Sequence, residues 1–373
     1  MEDKFTKTLY SSQSVDSLVN EMKPLMQKIE AGFENGVAIY GAGFVGTWAV
    51  PYLKSIGANV TCFFDRDEKK NGSTICDIPV LTPIDENLAN TSTMLIAARH
   101  AVKEVENSMQ EREIDMLSFD GYYLVKNYDR FANVRDNYFN DERSVETFNA
   151  LLIAMLSGSI KSCLDVMEKD MYFALPEFSG NFNEAFVDAG AFVGDTVERF
   201  IWENLGTFKH IHAFEPGYKQ FRALEKRIDR LYEEWAIDKN SVSLVKAGLS
   251  DENTTMNCSY VDDSPLRHGL VAQDKKDISD DKFSSEVYTL DSYLDGKGVS
   301  FIKADVEGME LELLRGAKET IQRCKPKMAL CAYHYPNDLF EIAEYVRELN
   351  PEYKFVLRQH APIFGDFVLY CYI

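Results

Sequence analysis

The sequence predicts an α/β protein made of two successive open sheets, a smaller one followed by a larger one. Three observations carry this. Two glycine-rich turns, Gly41-Ala42-Gly43-Phe44-Val45-Gly46 and Gly190-Ala191-Phe192-Val193-Gly194, each follow an apolar run and precede a helical pattern. Each turn is followed by a second apolar run that ends in an acid, Asp65 in the first case and Glu215 in the second. Beyond Glu215, short apolar runs alternate with amphipathic stretches, the pattern of strands joined by crossover helices and paired in parallel. The 373 residues suit two or three domains, and 45% hydrophobic with 27% charged residues marks a globular chain with ample core.

Net charge is −20 and the pI about 4.8, a surface that repels phosphate backbones, so no nucleic-acid partner is expected. No apolar run reaches membrane-spanning length; the longest candidate, residues 150–156, is far too short. The start, Met1-Glu2-Asp3-Lys4, is polar and lacks an apolar signal core, so export is not expected. The seven cysteines are scattered without a Cys-x-x-Cys, and Cys62, Cys331 and Cys371 fall in predicted strands, where a thiol acts as a small hydrophobe. A reducing cytoplasm fits this usage and a structural zinc does not.

Residues 1–35 read as a polar arm with one helix, because Val15, Leu18, Met22, Leu25, Met26 and Ile29 recur at three- and four-residue spacing. Residues 36–126 form the first α/β unit. Val37-Ala38-Ile39-Tyr40 is a strand, and a helix through Trp48 and Leu53 follows the turn, with Pro51 expected near its start. The strand at 60–64 ends in Asp65, 24 residues after Gly41. Gly41, Gly43, Gly46 and Asp65 make a full dinucleotide fingerprint in its strand–turn–helix context. Further strands are expected at 94–98 and 116–119, with Pro79 and Pro83 punctuating the connections. Two readings stand for this unit. One is a nucleotide site, for NAD or a nucleotide-sugar, with phosphates on the N–H groups of residues 44–47. The other is a structural Rossmann-like domain with an empty crevice. His100 beside Arg99 either binds a phosphate or carboxylate or sits in a solvated loop, and no hydride-transfer acid or base follows within the unit.

Residues 127–182 read as a helical connector. Phe148, Leu151, Leu152, Met155 and Leu156 form one stripe, ended by Gly158 and Ser159. The aromatics Tyr128, Phe131, Tyr138, Phe139, Tyr172, Phe173 and Phe178 either shape a substrate groove or pack a seam between domains.

The second domain spans residues 183–373. Its first strand, at 185–187, is ended by Asp188; Gly190 and Gly194 bracket the turn, and Val197, Phe200, Ile201 and Leu205 share one face of the next helix. The second strand, at 211–214, ends in Glu215, 27 residues after Asp188, where an acid can accept from ribose hydroxyls. The loop reads D-x-G-x-x-x-G-D-T, longer between glycines than a dinucleotide loop and flanked by the acids Asp188 and Asp195. That charge suits an ammonium or sulfonium ligand better than a pyrophosphate, and S-adenosylmethionine carries both cations on an adenosine. The competing reading is a glycine-rich turn with no ligand.

A helix with Phe221, Leu224, Ile228 and Leu231 leads to a third strand at 242–245. Residues 252–286, including Asp262-Asp263 and Asp280-Asp281, are polar and irregular, a hairpin excursion or a mobile flap. Asp291 is a candidate cap for a short helix. Strands at 300–305 and 327–332 are each followed by a helix, carrying Leu311, Leu313, Leu314 and Ala317, then Leu339, Ile342, Ala343 and Val346. The last strands, at 354–357 and 367–372, are separated by a loop too short for a helical crossover, so an antiparallel strand is expected beside the edge. A mostly parallel seven-stranded sheet with its last strand antiparallel is the class I methyltransferase architecture.

Ligands of such sheets lie outside the carboxyl ends of the strands, where Asp188, Glu215, Asp305 and His334 fall. Asp305 and Glu307 are expected to face His334. Three readings compete: His334 as general base oriented by a carboxylate; Asp305, Glu307 and His334 sharing a divalent cation; or Asp305 as a cap, Glu307 as a dipole partner and His334 as a hydrogen-bonded loop residue. His210 and His212 are expected to face solvent or helix, His268 falls in the excursion, and His360 near Arg358 is a weak substrate candidate.

Phe186-Val187-Asp188-Ala189-Gly190-Ala191-Phe192-Val193-Gly194-Asp195-Thr196, Phe214-Glu215-Pro216, Thr289-Leu290-Asp291, Ile302-Lys303-Ala304-Asp305-Val306-Glu307-Gly308 with Glu310, and Tyr333-His334 together resemble the FkbM-type methyltransferases. The resemblance covers roughly residues 130–373, with its motifs in order. It implies an S-adenosylmethionine-dependent O-methyltransferase acting on a hydroxyl of a sugar, polysaccharide unit or natural product. Asp188, Gly190 and Thr196, with Gly194 in the same loop, would hold the donor's amino-acid end and Glu215 its ribose. The segment with Gly248, Leu249 and Asp251 would flank the adenine, and Asp305, Glu307 and His334 would face a small-molecule or glycan acceptor. Ala304 departs from the family, where an Asp or another small residue is commoner. The first unit is similar to Rossmann-like domains fused to polysaccharide-modifying enzymes, for which it would bind a nucleotide-sugar, bind NAD or serve a homo-oligomer. The rival expectation is an NAD-dependent sugar-modifying enzyme or a nucleotide-sugar-binding protein working through that unit.

Overall fold

The computed structural model describes residues 10–260, 268–270 and 282–373. Asp262, Asp263, Asp280 and Asp281 lie outside the described residues. The chain divides into two compact units: Met1–Met167 with Tyr335–Asn337 and Gln359–Gly365, and Glu168–His334 with Asp338–Arg358 and Asp366–Ile373. The 127–182 stretch is therefore shared between them, changing unit after Met167.

In the first unit, helix α1 (Ser12–Ala31) is capped by the Ser11 side chain and buries Val15, Val19 and Ile29. Strands β1 (Val37–Tyr40), β2 (Val60–Phe64), β3 (Thr74–Ile75), β4 (Ile78–Leu81), β5 (Thr93–Ile96) and β6 (Asp115–Ser118) form a sheet in the order β3-β4-β2-β1-β5-β6. β1 is flanked by β2 and β5, parallel to both, and all four of its residues are buried, which is why it reads as an unbroken apolar run. The β3–β4 pair is an antiparallel hairpin that holds Pro79 on its exposed side, a strand position the proline pattern had concealed. Helix α2 (Phe44–Ser55) starts directly after Gly43, so Pro51 lies inside it rather than near its start; its ring is on the exposed face. Helix α3 (Phe119–Lys126) follows β6, and helix α4 (Glu142–Ser157) buries Phe148, Leu151, Leu152, Met155 and Leu156 before Gly158 closes it at φ 62°. Phe131 packs on Phe148 there.

In the second unit, the main strands are β7 (Ala185–Ala189), β8 (His210–Phe214), β9 (Val242–Val245), β14 (Phe301–Ala304), β15 (Lys327–Cys331), β16 (Lys354–Gln359) and β17 (Phe367–Tyr372). They form one seven-stranded sheet in the order β16-β17-β15-β14-β7-β8-β9, with β17 antiparallel to β15 and β9, β8, β7, β14 and β15 parallel. The reversed strand thus sits beside the edge, as the short final loop predicts. Phe186, Phe200 and Phe301 pack together in its core, with Phe173 and Phe178 edge-on to Phe301. Helix α5 (Asp195–Glu203) buries Val197, Phe200 and Ile201, but Leu205 lies beyond its end at φ 50° and is 66% exposed, so it does not share that face.

A second sheet of four strands, β10 (Gly248–Leu249), β11 (Thr254–Tyr260), β12 (His268–Leu270) and β13 (Lys282–Tyr288), runs β10-β13-β11-β12. In the described part of the expected excursion, β11 pairs antiparallel with both β12 and β13.

Candidate active site

The site lies at the carboxyl edge of the larger sheet. Gly190 follows β7 at φ +77°, and a Cβ there would sit 1.9 Å from the Asp305 carbonyl oxygen, so only glycine lets the loop pass the end of β14. Gly194, at φ +82°, caps α5. Glu215, after β8, ties two loops together: its Oε2 accepts from the Phe192 N–H at 2.9 Å and its Oε1 from the Gly217 N–H at 2.6 Å.

Asp188 and Lys303 are register partners on β7 and β14. Asp188 is fully buried, and the Lys303 ammonium lies 3.0 Å from it while donating to the Ala189 and Gly190 carbonyls at 3.2 and 2.7 Å. Burial opposes the charge on Lys303, but Asp188 and Asp305 outweigh it and hold the ammonium above the usual lysine range. The pair floors the glycine loop.

A cavity of about 320 Å³ opens above this floor. Gly190 and Phe192 from the loop, Asp195 and Thr196 from α5, and Phe214, Glu215 and Pro216 form one side. Ala247, Gly248 and Leu249, then Lys303, Asp305, Val306 and Glu307, with Met171, Tyr172 and Asp366, complete it. Of the residues predicted from sequence, Gly190, Thr196, Glu215, Gly248, Leu249, Asp305 and Glu307 converge here. Asp188, Gly194, Asp251 and His334 do not line it. Asp188 is fully buried within the floor, the Cα of Gly194 faces Leu224 instead, Asp251 is exposed, and His334 is only 5% exposed.

Asp305 is held by two hydroxyls, Tyr172 donating to Oδ2 at 2.8 Å and Tyr333 to Oδ1 at 3.0 Å. Burial acts to raise its pKa, but Lys303, His334 and the two hydroxyls bring it below the usual value. His334 follows β15 and meets the acids from three directions. Its Nε2 is 3.6 Å from Asp305 and 3.6 Å from Glu307, and its Nδ1 is 3.2 Å from Glu310. Burial would lower the imidazole pKa, yet these carboxylates push it up to about 10. Glu307 adopts φ +55°, a left-handed conformation costly for a side chain of this kind and often stored at working sites.

Asp366 drew no notice in the sequence; Lys303, Glu310 and Tyr333 entered only as parts of family motifs without a role, and Tyr172 only as one of the connector aromatics that either shape a groove or pack a seam. Lys303 did leave a signal: a lone charge within the run Phe301-Ile302-Lys303-Ala304 must find a buried counter-charge. Nothing local linked the hydroxyl of Tyr172 to Asp305, since 133 residues separate them.

The first unit's loop has a related geometry. Gly41 lies at φ +104°, and a Cβ on Gly46 would meet the Gly41 carbonyl oxygen at 2.0 Å. Asp65 accepts from the Ala42 and Asp67 N–H groups at 2.9 and 3.0 Å, with Lys70 at 3.5 Å. The ring of Phe44 stacks on Tyr335 of the same unit at 4.8 Å, and Trp48 on Tyr335 at 5.3 Å. Arg99 is engaged by Asp120 at 2.8 and 2.9 Å, while His100 is exposed. Of the two histidines expected to face solvent or helix, the buried His212 faces a helix, meeting Tyr293 of the segment Leu290–Leu294 at 3.2 Å, whereas His210 meets Ser243 on β9 at 2.8 Å. His360 falls in the segment grouped with the first unit.

Residues 188–357 match the family model described as the methyltransferase FkbM domain. This stretch is an FkbM methyltransferase domain. It holds the glycine loop, Glu215, the Asp188–Lys303 floor and the Asp305–His334 cluster; of the cavity lining, Met171, Tyr172 and Asp366 lie outside it. Methyltransferase FkbM from Methylobacillus flagellatus KT is similar in fold, with 21% identity, a TM-score of 0.59, and coverage of 96% of this chain and 98% of that one. UDP-D-quinovosamine 4-dehydrogenase from Vibrio fischeri aligns at 24% identity over 24% of this chain and 84% of its own, with a TM-score of 0.21. An rRNA methylase from Streptococcus thermophilus aligns at 15% identity over 52% and 87%, with a TM-score of 0.32. No curated protein matches the chain. No described helix is long and apolar enough to cross a membrane.

Proposed function

We propose that this protein is an S-adenosylmethionine-dependent O-methyltransferase whose acceptor is a hydroxyl of a sugar, polysaccharide unit or related metabolite. The observation that carries the reading is the cavity of the FkbM domain, lined by the glycine loop and Glu215 together with Asp305 and Glu307. In this reading Glu215 accepts from the donor's ribose. Gly190, Asp195 and Thr196 meet its amino-acid end, and Gly248 and Leu249 flank the adenine. The acceptor oxygen attacks the methyl carbon in line with the departing sulfur; the S–C bond breaks with its electron pair left on sulfur, the O–C bond forms, and the hydroxyl proton leaves. Alignment of the two partners supplies most of the rate.

Glu307 is the group best disposed to take that proton. Its carboxylate lines the cavity and is 41% exposed, whereas His334 does not line it. His334 then acts by holding Asp305, Glu307 and Glu310 in register, a change from the base role that its strand-end position suggests. Binding of S-adenosylhomocysteine, NADH and UDP-sugars, compared by calorimetry, tests the reading. S-adenosylhomocysteine should bind, and Glu307→Gln should lower kcat by about 100-fold or more while leaving that affinity within about twofold. A protein that binds NADH alone overturns it.

A further inference from the structure

We propose that Asp305, Glu310 and His334 form a binding site for one divalent first-row transition ion at the acceptor end of the cavity. Each residue offers one ligating atom, and the three atoms lie within 4.8 Å of one another. Metal bonds of about 2.0–2.2 Å span ligand pairs up to roughly 4.4 Å apart, so closing the shell takes shifts of a few tenths of an ångström. The scaffold is firm: Asp305 and His334 leave the ends of the adjacent parallel strands β14 and β15, and Glu310 opens the helix after the β14 turn.

A second observation points the same way. Glu310 is 1% exposed, and although its Oε1 accepts from the Val306 N–H at 2.8 Å, its Oε2 is buried with no hydrogen-bond donor. A buried carboxylate oxygen left without a donor is costly, and a cation supplies the missing partner. The tyrosine hydroxyls on Asp305 are outer-shell contacts of the sort that fix a ligating carboxylate. Two carboxylates and one imidazole favour Mn²⁺ or Zn²⁺ over Mg²⁺, which prefers oxygen throughout. Three protein ligands leave coordination positions open. Asp305 lines the cavity, so those positions serve an acceptor hydroxyl and make it more acidic, a use that rests on the methyltransferase reading although the binding does not.

Protein stripped with EDTA and titrated with MnCl₂ or ZnCl₂ should take up one ion per chain, read by calorimetry and elemental analysis. In the Mn²⁺ form, electron spin-echo modulation should show one directly bound imidazole nitrogen, a readout that needs no variant. Glu310→Gln should weaken uptake about tenfold or more while S-adenosylhomocysteine affinity stays within about twofold. Folded protein that binds S-adenosylhomocysteine yet takes up neither ion, or an ion with no nitrogen modulation, overturns the site and leaves the methyltransferase reading standing. Uptake of the ion without S-adenosylhomocysteine binding does the reverse.

Discussion

The two glycine loops share a design and differ in outcome. Each follows the first strand of its sheet, starts a helix, and donates a loop N–H to the acid that ends the next strand, Ala42 to Asp65 in one unit and Phe192 to Glu215 in the other. In the second unit the loop passes over a buried Asp188–Lys303 pair and opens on a cavity. In the first, the corresponding helix start carries Phe44, whose ring stacks on Tyr335. A glycine–acid fingerprint therefore specifies how a backbone turns between strand and helix. What lies beyond the strand ends differs between the two units.

The sharpest way to break this comparison is at the glycines. Gly190→Ala places a methyl against the Asp305 backbone at a positive φ. It should lower stability by about 3 kcal/mol or more in urea unfolding and abolish S-adenosylhomocysteine binding. Gly46→Ala clashes just as closely with the Gly41 carbonyl and should cost a similar stability, yet leave that affinity within about threefold in the protein that remains folded. Equal losses of affinity would erase the distinction between the loops.

Next in size is the floor. Lys303→Met leaves the Asp188 carboxylate buried without its counter-ion, a change of about 3 kcal/mol by chemical denaturation. Adding Asp188→Asn should recover much of it, and a double variant no better than the single one would deny the pair its structural role. The acids come third: Glu215→Ala should weaken S-adenosylhomocysteine binding about 30-fold or more by calorimetry, whereas Asp65→Ala should change it by less than about twofold.

The smallest expected effect separates the sheets by pH. Burial holds His212 on β8 down to about 4, whereas an unfolded histidine titrates near 6.5. The unfolded chain thus binds more protons in this window, so the neutral ring's contribution is complete above about pH 6.5 and is lost as pH falls toward 4. Strands β1 to β6 contain no histidine. The melting temperature of His212→Gln should depend less on pH between 7 and 4.5 than that of the parent protein; parallel curves would refute the assignment.

Much of this was legible because both sheets bury their central strands on two faces. Apolar runs such as Val37-Ala38-Ile39-Tyr40 and Phe301-Ile302 announce themselves, and acids such as Asp65 and Glu215 mark where they end. The reversed strand could be inferred because a loop carrying Pro362 and Gly365 has no room for a crossover. Less was legible wherever geometry is set by distant chain. The hydroxyl of Tyr172 on Asp305, and the position of Glu310 against His334 rather than on a helix surface, depend on packing that no local period encodes. Pro51 and Leu205 misled for the opposite reason, since the helix runs on through Pro51 despite its missing N–H and an apolar residue matched the helical spacing although the helix had already ended.

The four-stranded sheet carries a mechanical implication. Its root is Gly248–Leu249, backbone that is also part of the cavity wall and that pairs with Val287 and Tyr288. The methyl a side chain would add at Gly316 would come within 1.9 Å of the neighbouring Ser250 carbonyl, so the anchorage is tight at its base. Such an arm resembles a handle bolted to a doorframe: any force applied through its outer strands arrives at the cavity wall.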